Sequence, residues 1–262
     1  ISLISNDGIT YINSAKTFAN KGFVRAVADM RVSFGYPFFI NLTHKILSLT
    51  NSNSSSGKWI LSAQIVSLFS KLTASIVLYF ISSCFTERKT AFWGVVILSL
   101  LPDSAEYGSD ALTEWPFLMF LAIGFLLLIK AAEYEKVWLF GLTGLAAGIG
   151  YFVRSECCQL VIYGVSWLLF KFLKSAWRTK VIFSFIVLLA GFFIAAAPYM
   201  LLKGYVFPDQ KIFKIPALFS EGDAGASSEN PFLAGLSIAK IKNDKTIVKN
   251  ICETLVYYFV PA

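Results

Sequence analysis

A few acidic residues and one arginine stand where apolar runs of this chain meet polar connections. Asp7 lies in Asn6-Asp7-Gly8 near the start, Asp110 and Glu114 lead into one apolar run, and Arg154 and Glu156 interrupt another. Asp103 and Glu106 add acidic charge to the second of these places. Carboxylates can take a proton from a hydroxyl or ligate a metal, and a guanidinium holds phosphate through its planar fork of N–H donors. Other chemistries are set aside by what is absent. His44 is the only histidine, which leaves no His-based triad or His-rich metal cage. The four cysteines, Cys84, Cys157, Cys158 and Cys252, form neither a CxxC pair nor a disulfide framework. Cys157 and Cys158 are adjacent in an apolar region and read as small apolar filler.

Each charged residue also has a structural reading. Asn6-Asp7-Gly8 carries a turn dipeptide, and Asp7 can serve there as a turn residue. Asp110 and Glu114, four apart, share one helical face. Either Thr113 or Asp110 can cap that helix, with Glu114 favoured by the helix dipole and Pro116 tolerated in the first turn. Arg154 can snorkel to an interface, paired with Glu156 or a lipid headgroup. An ionisable residue between long apolar runs nonetheless marks a functional site by default.

The elements that must position these residues are membrane helices. Of the 262 residues, 56% are hydrophobic and only 15% charged, and mean hydropathy is +0.65. Soluble domains carry about 25% charged residues, so lipid must solvate much of this surface. Crossing helices are expected at 59–83, 112–129, 137–153, 157–172 and 181–202, with a shorter one at 91–102 extending back into 86–90. The net charge of +7 builds no compact basic patch interleaved with aromatics, so nucleic acid is not an expected partner. Basic residues gather instead in alternate connections: Arg88 and Lys89, Lys130 and Lys136, then Lys171, Lys174, Arg178 and Lys180. The positive-inside rule makes that set cytoplasmic and puts 103–111 and 154–156 in outer connections. As one helix, 137–170 would rise roughly 51 Å and throw the loop at 171–180 to the wrong side, so two passes are expected.

On the outer side, 36–49 mixes apolar residues with Asn41, His44 and Lys45 and suits an interfacial helix. Residues 51–57 read as a flexible connector, and 221–230 as a polar loop. Asn41-Leu42-Thr43 and Asn53-Ser54-Ser55 match the glycosylation tripeptide, a weak signal. The chain starts without Met and stops just after an apolar stretch at 255–260, so further helices are expected on both sides.

In this order the segments resemble a known family. Asn6-Asp7-Gly8 with Tyr11, Ala15 and Gly22 looks like an acidic first-loop motif, and Gly35-Tyr36-Pro37-Phe38 like the aromatic-Pro segment that follows it. Residues 109–114, SDALTE, look like an acidic helix entry, and 148–156, GIGYFVRSE, like a segment ending in R-x-E. Together they resemble membrane glycosyltransferases of the GT-C fold that use polyprenyl-phosphate sugars. The nearest likeness is to the dolichyl-phosphate-mannose protein mannosyltransferase and lipid A aminoarabinose transferase group. The resemblance implies an all-α polytopic bundle with interfacial helices in the first outer loop. It also implies sugar transfer from a lipid-linked phosphate donor to a lipid, glycan or protein acceptor at the non-cytoplasmic face. Under it Asp7 and Glu114 are catalytic, and Arg154, Glu156, Asp110 and Tyr36 bind substrate. Three departures stand out. Asn6-Asp7 stands where many relatives have two adjacent acids, Ser109 stands where some relatives have arginine, and Phe38 replaces a second proline. The first weakens the support for metal dependence, so no metal or other cofactor is expected, although a divalent cation stays possible. The second leaves the phosphate contact to Arg154.

The module is expected over 1–205, with 206–262 an outer loop and the start of a further helix. A multi-pass place in a cell membrane is expected, a bacterial inner membrane before the endoplasmic reticulum. A transporter or lipid flippase is the alternative, for which Lys71 deep in 59–83 is the one suitable residue. In a non-catalytic scaffold the same charges would only cap helices.

Overall fold

The computed structural model describes residues 6–21, 26–27, 30, 32–50, 56–174, 178–207 and 212–214. Its helices are α1 (Asn6–Lys21), α2 (Gly35–Thr50), α3 (Ser56–Ser83), α4 (Arg88–Leu100), α5 (Pro102–Ser109), α6 (Glu114–Tyr134), α7 (Val137–Tyr151), α8 (Gln159–Lys174) and α9 (Arg178–Lys203). A 3-10 turn, Ser155–Cys158, leads into α8. One antiparallel ribbon, β1 (Tyr205–Phe207) with β2 (Ile212–Lys214), follows α9. The protein is an all-α polytopic membrane protein. The connector at 51–55, Asn53, the loop at 221–230, Cys252 and the apolar stretch at 255–260 lie outside the described residues.

Pro102 explains the most irregular crossing. A proline pushes the residue before it out of the α region and suits the first position of a new helix. Leu101 is accordingly extended (φ −58°, ψ 135°), α4 stops, and α5 starts at Pro102. The stretch 103–111, expected from sequence as an outer connection, is mostly helix α5. Lys71 of α3 fills the break. Its ammonium donates to Ser104 O (2.9 Å) and, more weakly, to Ser99 O (3.4 Å) in the last turn of α4, and it lies 5.4 Å from the centre of the Trp115 ring. Ser99 lies in the last turn of α4, whose carbonyls lack intrahelical partners and favour a cation. The intramembrane lysine therefore ties α3, α4, α5 and α6 together.

Six crossings are expected from sequence. Among the described residues four helices are long and apolar enough to span: Gly57–Ser83, Glu114–Tyr134, Ser155–Lys174 and Thr179–Lys203. The 13 residues of α4 rise roughly 20 Å and the 15 of α7 roughly 22 Å, short of the ~30 Å hydrocarbon layer. Helix α7 still joins the two ends of the bundle. It begins beside Glu135, which is ion-paired to Lys171 and Lys180, and ends just before Arg154, which is ion-paired to Glu114 at the head of α6. The break after Tyr151 splits 137–170 into two helices, and Lys171 near the end of α8 returns to Glu135 beside the start of α7.

Close helix packing sets that geometry. A Cβ on Gly144 would lie 2.1 Å from Leu188 O, and one on Gly191 2.3 Å from Gly141 O. Without side chains there, α7 and α9 approach backbone to backbone, the usual basis of helix association in lipid. Outward, Phe69, Leu72, Ile76, Trp93, Ile97, Ile186 and Ile194 are exposed, as lipid-facing residues should be.

The expected interfacial helix is α2. Asn41 is buried in it, which removes this residue as a glycan acceptor. His44 stacks on Trp59 of α3 at 3.7 Å between ring centres.

Candidate active site

Helix α1 presents Asp7 in its first turn, so the turn reading of Asn6-Asp7-Gly8 gives way to a helix start where an acid meets the positive end of the dipole. One turn on, Tyr11 packs edge-on against Tyr36 (5.3 Å, 81°) and hydrogen-bonds the side chain of Thr113. Thr113 holds the N-cap position of α6 but makes no capping bond, and Glu114 opens the helix. Asp110 accepts the Ala111 N–H at 2.7 Å.

Arg154 reaches the same place because α7 unwinds there. The Val153 and Arg154 N–H groups both turn back to Gly150 O, at 2.9 and 3.0 Å. Arg154 itself is extended (φ −150°, ψ 133°), and the chain re-coils at Ser155. Below it, Cys157 is buried against Gly150, as small filler should be. The Arg154 guanidinium lies 3.5 Å from Glu114 Oε1, 3.3 Å from Glu156 Oε1 and 5.4 Å from the centre of the Phe117 ring.

These side chains line one cavity of about 340 Å³, with Asp7, Tyr11, Ser33, Glu114, Arg154 and Glu156 in its wall. The structure thus brings together four of the residues expected from sequence. Tyr36 and Asp110 are not in the wall. Tyr36 is fully buried, its hydroxyl on Ser67 Oγ (2.9 Å) and Ala63 O (3.3 Å), so it supports Tyr11 from behind. It is expected from sequence to bind substrate, and the structure places it behind the cavity wall. Tyr11, Thr113 and Ser33 are additions. Tyr11 was within reach of helical periodicity, being four residues from Asp7; Ser33 carries no local signal.

The electrostatics favour a protonated, donor-rich wall on one side. Burial pushes the Tyr11 phenol above its ordinary value, with the Thr113 bond opposing and Glu114 and Asp7 adding to the rise. Burial works against the charge on Arg154, but Glu156 and then Glu114 outweigh it and raise its pKa. Its contacts at 3.3 and 3.5 Å are longer than the ~2.7–2.9 Å of a tight charge-assisted bond, so the fork is not closed to a further anion. Glu114 Oε2 is buried and accepts no hydrogen bond among the described residues. A second cavity of about 370 Å³, almost wholly apolar, lies across the 32–35/152–154 junction and is lined by Phe34, Phe38, Ile149, Phe152, Pro198 and Tyr199. No group of three or more potential metal ligands occurs among the described residues.

Fold and cavity define a multi-pass membrane protein with a charged chamber at one end of an apolar bundle. Residues 32–201, well over half of the chain, match the dolichyl-phosphate-mannose-protein mannosyltransferase family, and the chain belongs to that family. It is a membrane glycosyltransferase of the GT-C type. Tyr36, Asp110, Glu114, Arg154 and Glu156 fall within the matched segment, and Asp7 falls before it. No curated protein and no solved structure matches the chain.

Proposed function

We propose that this glycosyltransferase moves a sugar from a polyprenyl-phosphate-linked donor to an acceptor hydroxyl at the non-cytoplasmic membrane face. The observation that carries this is the meeting of Asp7, Glu114, Arg154 and Glu156 in one cavity. The basic connections sit at the other end of the bundle, where Lys171 and Lys180 converge on Glu135, which supports an outward-facing site.

In the proposed reaction the acceptor oxygen attacks the anomeric carbon and the bond from that carbon to the phosphate oxygen breaks. Asp7 takes the hydroxyl proton, and polyprenyl phosphate leaves with the bonding pair. Arg154 meets the charge that grows on the departing phosphate, the kind of contact that stabilises a transition state more than a ground state. Glu156 holds the guanidinium in place. Glu114, with its open oxygen, and the Tyr11 hydroxyl receive and position the sugar hydroxyls. The cavity wall carries three carboxylates and one guanidinium, so the phosphate belongs at Arg154 and the uncharged sugar toward Asp7. The apolar cavity beside Phe152 suits the start of the isoprenoid tail. Lys71, the residue a transporter would need, is engaged between helices.

Asp7→Asn should abolish transfer from a lipid-phosphate donor while membrane insertion stays intact. Wild-type turnover by that variant would remove Asp7 from the mechanism. Cysteine labelling at positions 7 and 154 should report the same compartment, and opposite compartments would overturn the proposal.

A further inference from the structure

The far end of the bundle holds another cavity, of about 340 Å³, that the transfer chemistry does not use. It opens between α6, α8 and α9. Lys171, Lys180, Glu135, Trp167 and Ser184 line its mouth, and Leu168 and Val181 its floor. Glu135 ends α6 in the left-handed region (φ 52°), the one positive-φ residue besides glycine among those described. Both lysines are turned onto it: Lys171 hydrogen-bonds one carboxylate oxygen, and Lys180 lies 3.6 Å from the other. The Lys171 bond holds the Glu135 carboxyl below its ordinary value.

Two features point to an occupant. The first is charge. Two ammonium groups share one carboxylate, which leaves one positive charge, the complement of a single phosphodiester. The second is continuity with lipid. Leu168 and Val181 also line a purely apolar groove of about 150 Å³ between α8 and α9, with Leu169, Phe172, Ile182 and Phe185. Leu169, Phe170, Leu173, Ile182 and Phe183 are exposed along the same two helices, so the groove opens onto acyl chains. Trp167 at the rim has the amphipathic ring that prefers the headgroup level. Basic pockets between membrane helices are suited to acidic lipid headgroups.

We infer that this cavity binds an anionic phospholipid of the membrane leaflet at the basic end of the bundle. The phosphate sits between Lys171 and Lys180, and an acyl chain lies in the α8–α9 groove. Glu135 stands in for the phosphate when the site is empty, and the lipid displaces it from one lysine. The site wedges α8 against α9 and is separate from the transfer cavity, so it stands or falls apart from the proposed reaction.

The test uses the full-length protein in mixed micelles, with native mass spectrometry counting retained lipids. Phosphatidylglycerol should be retained in preference to phosphatidylcholine by roughly thirtyfold, the scale expected for two lysines near a membrane surface. The double variant Lys171→Gln/Lys180→Gln should lose that preference, whereas Lys174→Gln, whose charge lies on the Phe170 ring at 4.3 Å, should keep it. Glu135→Gln removes the competing carboxylate and should strengthen retention, a gain that a damaged fold cannot mimic. Val181→Phe, which fills the groove, should weaken retention of both lipids. Equal retention of the two lipids by the wild type, an unchanged preference in the double variant, or weaker binding by Glu135→Gln would each overturn the inference. So would displacement of the lipid by millimolar inorganic phosphate, which would mark a site for free phosphate.

Discussion

The Gly35 N–H donates a 2.8 Å hydrogen bond to Phe152 O, and a Cβ on Gly35 would lie 2.6 Å from that same oxygen. This contact pins the start of α2 to the end of α7, two residues before Arg154. It also separates the charged cavity from the apolar one. Gly35→Ala must push the two segments apart, because both atoms in conflict are backbone. Transfer activity should fall at least about tenfold, since small misplacements of positioned groups are costly. Circular dichroism should still report the wild-type helix content. Full activity in Gly35→Ala would mean that the junction does not set the geometry of the site.

Arg154→Gln should lower kcat by about 10²–10³-fold, the range for loss of one preorganised donor to developing charge. Arg154→Lys should recover little, because an ammonium cannot reproduce a fork held between Glu114 and Glu156. Glu156→Gln should cost less, since the Glu114 contact remains. If Arg154→Gln raises KM and leaves kcat unchanged, Arg154 binds the donor without stabilising the departing phosphate.

Much of this was legible in the sequence, and the misses have physical reasons. Long apolar runs ended by Lys and Arg pointed to the four helices long and apolar enough to span, because lipid tolerates little else. Asp7, Glu114, Arg154 and Glu156 were visible as ionisable residues at the edges of those runs. The α5 helix was hidden because Asp103 and Glu106 mark a polar connection, while Pro102 is compatible with both a stop and a fresh start. The depth of Tyr36 was not legible because a motif gives the order of residues and not their depth; only packing against Ala63 and Ser67 shows that it is buried. Ser33 reaches the cavity through tertiary contact alone.

His44 provides a test by pH. Burial first, and then Lys58, lower its pKa from the ordinary 6.5, so the folded protein holds it neutral while the unfolded chain takes up a proton. The stability carried by the neutral ring is therefore present above pH 6.5 and is lost as the pH falls from there toward the folded value. Thermal unfolding in detergent should show a lower Tm at pH 5.5 than at pH 7.5, and His44→Phe, which keeps the stack on Trp59, should flatten that difference. A rise in Tm on acidification would mean that a protonated ring stacks better on the indole than a neutral one.

Lys71 makes the last case. Its stem packs against Gly108, where a Cβ would lie 2.6 Å from Lys71 Cδ, and its ammonium bridges the broken α4–α5 helix and the first turn of α6. Lys71→Met keeps most of the stem and removes only the charge and its donors. The Ser104 and Ser99 carbonyls then lose a partner in a site that water reaches poorly, which costs about 1–3 kcal/mol. Trp115, the residue after Glu114, loses its cation, so the effect should pass to the active cavity as a modest fall in kcat with KM little changed. Lys71→Arg offers donors again and should restore stability more than it restores turnover, because the larger fork crowds Gly108. Equal unfolding midpoints for wild type and Lys71→Met would show that the helix break holds itself together, and that this lysine is incidental to the geometry of Glu114.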